Sequence, residues 1–594
     1  ALTWGSVPGV SWAADNTIVT KGSNGNNVAQ MKVTATAAAD AVKTHFYSVN
    51  STDAKAGNYN NNGATGVNAI AAGVGASSDG DSSIAVGTDA KVDSNGYSLT
   101  SIAIGKNAHV LNGTGQQEFQ LSFDKGNWNY VDLGQYGQYA TGPKDVSRIP
   151  GGIAIGTNSY ARTGSIQIGA HTYTGKMGNM DVTDKTNSEA NIVDMTTIGS
   201  NTYNRGALAT MVGAYSIITG ETGTQNFGAN VIGSLNSIRT KGYSGTSGVA
   251  NNIVGIANVT ENANGALIYG AGNKISNSIR PITSIDVTKT SSTVDGMVNS
   301  LRNAVQKQEG GATLAIGGGN TADWTQRTQI IGVNNTVTGT EGMPADLNLI
   351  DGYKNTATHV KHATVIGSEN NVSGEEKDNV EGLILLGDKR NIWSRADNSV
   401  VIGSSDDIEH SYVTRPDTVV IGHNAYIEDH GGNTSGGGDI AIGHNSFVEN
   451  YVNQSGSIAF GENTHVRNSV GSTENAFIMG QYETTQDPAG TLIPTDVAKM
   501  NASIAIGENT FARTGSLMIG THKYTGEIGD TTVDTSDATS MAQTNQQINE
   551  TVLGTNSFSL GAFSTVTGAY SIISGDYEKG KWNNFGSSIT GSLN

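Results

Sequence analysis

The chain has 594 residues, of which 36% are hydrophobic and 14% charged, too lean in apolar residues for one large conventional core. With 79 glycines, 8 prolines and no cysteine, it excludes collagen, a proline-rich disordered tail, disulfide staples and thiolate metal sites; a glycine-punctuated β protein stabilised by repetition remains. A net charge of −18 removes the electrostatic basis for nucleic-acid binding or docking on an anionic membrane, and no apolar run approaches the roughly 18 residues of a membrane-spanning helix.

Residues 1–62 read as an N-terminal cap or lead-in segment, and the start at Ala1 reads as a processed end. From residue 63 a phrase begins to recur: Ser83-Ile84-Ala85-Val86-Gly87, Ser101-Ile102-Ala103-Ile104-Gly105, Gly152-Ile153-Ala154-Ile155-Gly156 and Ser503-Ile504-Ala505-Ile506-Gly507. Counting looser copies, it returns about 25 times. Its glycines step by 14 (Gly73 to Gly87), 13 (Gly156 to Gly169) and 15 (Gly317 to Gly332). A step near 14 holds two strands of about five residues and two tight turns, so each repeat predicts one flattened coil of a parallel β-roll.

After the glycine comes a second regular phrase, as in Gly105-Lys106-Asn107-Ala108-His109-Val110 and Gly443-His444-Asn445-Ser446-Phe447-Val448. The glycine and the asparagine two places on form the turn, because both tolerate unusual backbone angles. The third and fifth places are predicted to face inward and the fourth and sixth outward. In the strand before the glycine, Ile102 and Ile104 share one face and Ala103 takes the other. Two apolar faces imply that both are buried. On this reading the isoleucines fill the coil, and Ala85, Ala103, Ala154 and Ala505 form the face on which identical chains close as a homotrimer.

Along the chain, residues 63–272 read as a first roll with insertions near 111–150 and 174–195. Residues 273–312 read as an insertion with an amphipathic helix at 293–308, built on Val294, Val298, Leu301 and Val305. Residues 313–480 continue the roll, and 481–594 read as a truncated duplicate of the first part, itself interrupted at 481–501 and 525–550. Ala161-Arg162-Thr163-Gly164-Ser165 returns from Ala512 (512 − 161 = 351), and Gly213-Ala214-Tyr215-Ser216 returns from Gly568 (568 − 213 = 355). The stop at Asn594 therefore reads as a cut in a longer parent.

Candidate functional groups follow the same columns. The fourth place is aromatic or histidine at His109, Tyr160, Tyr173, Tyr203, Tyr426, Phe447, His465, Phe511, Tyr524 and Phe558. Such a ladder stabilises the sheet, is buried against a neighbouring protomer, or offers an exposed aromatic track, and Tyr426, Phe447 and His465 keep the best register. The first insertion gathers Phe119, Phe123, Trp128, Tyr130, Tyr136 and Tyr139, which suit sugar stacking, protein contact or a satellite core. Binding candidates are thus Tyr426, Phe447, His465, Tyr160, Phe511, Trp128, Tyr130 and Tyr136. The sixth place carries Glu409, Glu428 and Glu449 and then Arg467, a solvated acidic column or a weak cation site. The 11 histidines form no HExxH pattern, and the strings Gly310-Gly311 and Gly317-Gly318-Gly319 lack a following lysine-serine. No catalytic residue, metal or cofactor is expected.

The phrase Ser-Ile-Ala-Ile-Gly-x-Asn-Ala-x-Val at a step near 14 resembles the YadA-type head repeat of trimeric autotransporter adhesins, over residues 63–594. His45-Phe46-Tyr47-Ser48-Val49-Asn50-Ser51 resembles the segment leading into such heads. The resemblance implies a left-handed parallel β-roll (β-solenoid) of three identical chains, interrupted by insertions. It also implies display outside the cell, anchored in the outer membrane by a missing C-terminal part. Partners would be host-surface or bacterial receptors, glycans or matrix proteins, with roles in biofilm, coaggregation and virulence. A heptad stalk and a barrel-forming C-terminal segment are not recognisable. Competing classes are a phage-type trimeric fibre and a β-solenoid carbohydrate-active enzyme, the latter needing longer coils and a convergent carboxylate cluster.

Overall fold

The structure, a computed structural model, describes residues 49–112, 151–182, 195–280, 309–468 and 502–594, with short gaps, a few helical positions in 298–307, and the backbone of strands within 17–32 and 120–131. Its spine is one parallel sheet in which the strand before each repeat glycine pairs with its counterparts one coil behind and one coil ahead. The sheet is a linear stack and not a closed barrel: Ile70–Ala72 pairs with Ile84–Val86 at one end, and Ser588–Thr590 with Thr565–Thr567 at the other. Its 24 described strands, about 4.8 Å apart, span on the order of 110 Å.

Pairing is residue for residue, so Ala85 stacks on Ala103 and Ala103 on Ala154. Insertions loop out without shifting register: Leu267–Ala271 pairs directly with Leu314–Gly318, and Ile458–Phe460 with Ile504–Ile506. The repeat glycines stack too. Gly87 has a φ of +129°, and a Cβ there would lie 2.6 Å from the Gly105 carbonyl oxygen on the next coil, so a side chain is excluded by both angle and space.

Strands after the turn build the opposite wall. Ser77–Ser78, Lys91–Asp93, His109–Leu111 and Tyr160–Arg162 form a 4-stranded sheet, and a 15-stranded sheet runs from Tyr203–Asn204 to Phe511–Arg513. Between residues 325 and 381 a third wall appears, of Thr325–Gln326, Ala345–Asp346, Val360–Lys361 and Val380–Glu381. The coils there are three-sided, with steps of 15 (352 to 367) and 20 (367 to 387).

The expected assignment of the first strand's two faces is reversed. Ala85, Ala103, Ala154 and Ala505 are fully buried inside a single chain; the first three pack with Ala90, Val92, Ala108 and Val110. The β-branched residues face out, with Val86 36% and Ile104 37% exposed. The cause is the width of a two-sided coil: its walls approach too closely for an isoleucine on each rung, so the small residue goes in. Where the coils are wider, the same inward position holds Ile253, Ile268, Ile330, Ile350 and Leu385. The third and fifth places do face inward, as Ala108 with Val110 and Ala425 with Ile427 show.

A buried amide ladder runs through the wide coils. Asn258, Asn273, Asn320, Asn335, Asn355 and Asn370 each occupy the third place after a repeat glycine and are at most 1% exposed. Asn320 is typical: its backbone N–H and Nδ2 both donate to Asn273 Oδ1 at 3.0 Å, and Nδ2 also donates to the Gly332 carbonyl at 2.8 Å. The ladder ends on Arg390, fully buried, whose N–H donates to Asn370 Oδ1. Its guanidinium donates to the carbonyls of Gly403 (2.6 Å), Ala425 (2.5 Å) and Gly422 (2.8 Å), and burial lowers its pKa to about 10.

The described insertions are antiparallel hairpins: Gln120–Asp124 with Asn127–Val131, Gly175–Met177 with Met180–Val182, and Gly526–Ile528 with Thr531–Val533. Thr17–Lys21 pairs likewise with Asn27–Lys32. In the expected helix, Val298, Asn299, Arg302, Asn303 and Gln306 have helical backbone, while Val294, Leu301 and Val305 lie outside the described residues, as does 481–501.

Candidate binding surface

Parallel in-register pairing stacks each fourth-place ring on the next, as the sequence column anticipates. Tyr426 pairs with Phe447, Phe447 with His465, and His465 with Phe511. Ring centroids are 4.9 Å apart for Tyr426–Phe447 and 3.9 Å for Phe447–His465, both stacked, and His465 meets Phe511 edge-on at 6.4 Å. No exposed track runs over Tyr426, Phe447, His465, Phe511 or Tyr160. Tyr426, Phe447, His465 and Phe511 are 6%, 5%, 5% and 1% exposed, and Tyr160 is buried as well. The sixth-place residues share this face and close over the rings. Arg467 and Arg513 lie 5.7 and 5.6 Å from the Phe511 centroid, Arg162 lies 5.7 Å from that of Tyr160, and Tyr426 Oη donates to Glu449 Oε1 at 2.9 Å. Burial, then the Glu449 charge, raises the Tyr426 pKa, so the hydroxyl keeps its proton. Trp128 and Tyr130 sit on the strand Asn127–Val131, with their side chains, and Tyr136, outside the described residues.

The carboxylate column is in register: Glu428 opposes Glu449, and Glu449 opposes Arg467, with Arg467 Nε 2.6 Å from Glu449 Oε2. Glu409 lies outside the described residues. Nearby, buried Arg415 approaches Asp429 at 3.4 Å and Asp439 at 3.9 Å, and burial raises the Asp439 pKa to about 6.

What the chain leaves exposed is a stripe along its first sheet. Ile198, Val212 and Ile232 stack on consecutive rungs with their side chains outward, and Val86, Ile104, Ile316, Ile366, Ile402 and Phe460 continue the same column. Sequence reading recognised this face as apolar but placed it inside. Exposed aromatic pairs lie on other rungs, two of them using the fourth-place Tyr173 and Tyr524. Tyr173 meets Tyr215 edge-on at 5.9 Å, and the duplicated copy repeats this with Tyr524 and Tyr570 at 6.0 Å; Trp393 and Tyr412 form a third pair at 5.7 Å. The tyrosine pairs were hidden from the sequence because each joins residues two turns apart along the stack.

Comparison with curated proteins finds no match. The family model of the YadA head domain repeat matches residues 64–90, in two copies. Those residues are the first rungs of a ladder that keeps the same strand pairing and register to residue 590. Over residues 64–90 the chain therefore carries YadA-type head repeats.

Proposed function

We propose that the chain is the adhesive head of a fibrous homotrimer, a binding protein and not an enzyme, which attaches its cell to host surfaces or to other bacteria in biofilm or coaggregation. The observation that carries this reading is the outward apolar column of Val86, Ile104, Ile198, Val212 and Ile232. An apolar stripe of this kind marks an interaction face, and three identical chains close it along the roll. The roll then acts as a stiff spacer that carries its specificity on turns and insertions. Tyr215 and Tyr570, with their edge-on partners, are the aromatic surfaces that a sugar ring or a protein side chain reaches.

Attachment of the purified chain to arrays of glycans, to matrix proteins and to whole bacteria tests the reading. Saturable attachment to at least one class is expected, reduced by Tyr215→Ser together with Tyr570→Ser. A folded trimer that attaches to none of them overturns it.

A further inference from the structure

We propose that Glu428, His430 and Glu449 form a divalent transition-metal site that staples the coil of Gly422 to the coil of Gly443. The three side chains each offer one ligand atom, and these atoms lie within 4.8 Å of one another. Glu428 and Glu449 face each other in register on neighbouring parallel strands, an arrangement that is repulsive without a cation. Arg467 pairs with Glu449, and Arg415 with the neighbouring Asp429. Glu428 adds a second carboxylate to the column. The group set beside it is His430, with Nε2 3.4 Å from Glu428 Oε2.

The surroundings suit metal ligation. The His430 backbone N–H donates to Asn450 O at 2.8 Å, which fixes the base of the imidazole against the second rung. Tyr426 Oη donates to one Glu449 oxygen and Arg467 Nε to the other, but each carboxylate oxygen has two lone pairs, so coordinating capacity remains. Hydrogen-bonded carboxylates of this kind are the usual outer support of a bound ion. One imidazole and two carboxylates fit zinc or another late first-row ion; calcium prefers six to eight oxygens and has little use for the histidine. The three side chains are between 10% and 30% exposed, so an ion can enter and water can complete its coordination. An ion bound only by the folded stack adds to its stability.

Isothermal titration of the full chain with zinc chloride, paired with thermal melts, tests the site. One zinc per chain and a raised Tm are expected. His430→Ala and Glu428→Gln should each weaken binding about tenfold or more, with far-UV circular dichroism unchanged. The control is His423→Ala with His444→Ala, which removes an exposed stacked imidazole pair 5.6 Å apart and should leave zinc affinity as in the parent chain. The absence of saturable zinc binding overturns the proposal. So does binding that survives in His430→Ala, or that is lost only in the double histidine variant.

Discussion

The narrow and wide coils of this roll share a repeat glycine and a sheet register but close their turns differently. In the narrow coils the residue three places after the glycine is small and its N–H returns to the glycine carbonyl, at 3.3 Å for both Ala90 to Gly87 and Ala108 to Gly105. In the wide coils the same N–H points along the stack instead: Asn273 N donates to Asn258 Oδ1 at 3.0 Å, and Asn273 Nδ2 to the Gly317 carbonyl at 2.9 Å. One side chain thus replaces a local turn bond with bonds to both neighbouring coils. The freed loop can carry a third strand, and isoleucine fills inward positions such as Ile268, Ile330 and Ile350, although Ala315 lies between the first two. The residue at the third place thus decides how each turn is tied to its neighbours.

The largest expected effect lies where the amide ladder stops. Arg390→Met should cost about 3–5 kcal/mol in denaturant unfolding, because it strips the donor from three buried carbonyls. Arg390→Asn, which lengthens the ladder by one rung, should cost less. Equal midpoints for Arg390→Met and the parent chain would show that the wide stack needs no such end. Four rungs further in, Asn320→Ala removes the bond to the Gly332 carbonyl and the two that Asn335 donates to its side chain, for about 2–3 kcal/mol. Its narrow-coil counterpart, Ser159→Ala, loses a single bond of 3.0 Å to the Gly156 carbonyl and should cost about 1 kcal/mol or less. If the two losses were equal, the contrast between the coils would not be energetic.

Packing gives a smaller and opposite contrast. Ala103→Leu should destabilise by roughly 1–3 kcal/mol because the narrow interior cannot widen, whereas Ile330→Leu in the wide stack should stay under about 1.5 kcal/mol. Acid separates the regions again. Burial lowers the pKa of His171 and His522, in the two copies of the duplicated segment, and of His109, to about 4. A depressed base is favoured neutral, so the stability it contributes is full above the ordinary value near 6.5 and is lost as pH falls towards 4. On the order of 1–2 kcal/mol each should be gone by about pH 5, readable as accelerated hydrogen exchange around Tyr203 and Phe558 ahead of the amide ladder. Asp439, raised to about 6, works the other way and stabilises on acidification, but it is one group against three. Exchange at pH 5 that began in the amide ladder would contradict the assignment.

The recurring glycines, the coil, the inward third and fifth places and the stacking of the aromatic column were legible from period alone, since a parallel ladder copies a sequence column into a spatial one. The choice between Ile104 and Ala103 for the interior was not, because both faces of that strand are apolar and coil width is set by the opposing wall. Burial of Tyr426, Phe447 and Phe511 within one chain was missed for a related reason: Glu449 and Arg467 read as a solvated column, whereas they fold across the rings. The grouping of His430 with Glu428 and Glu449 needed the return of the chain one coil later.

Sedimentation equilibrium at micromolar concentration tests most directly the claim that the outward column closes the assembly. The parent chain should have three times the 61.4 kDa protomer mass. Replacing Ile104, Ile198 and Ile232 together by lysine should reduce it to one protomer that keeps its β signal. A folded monomeric parent chain, or a lysine variant that still sediments as a trimer, would contradict the account.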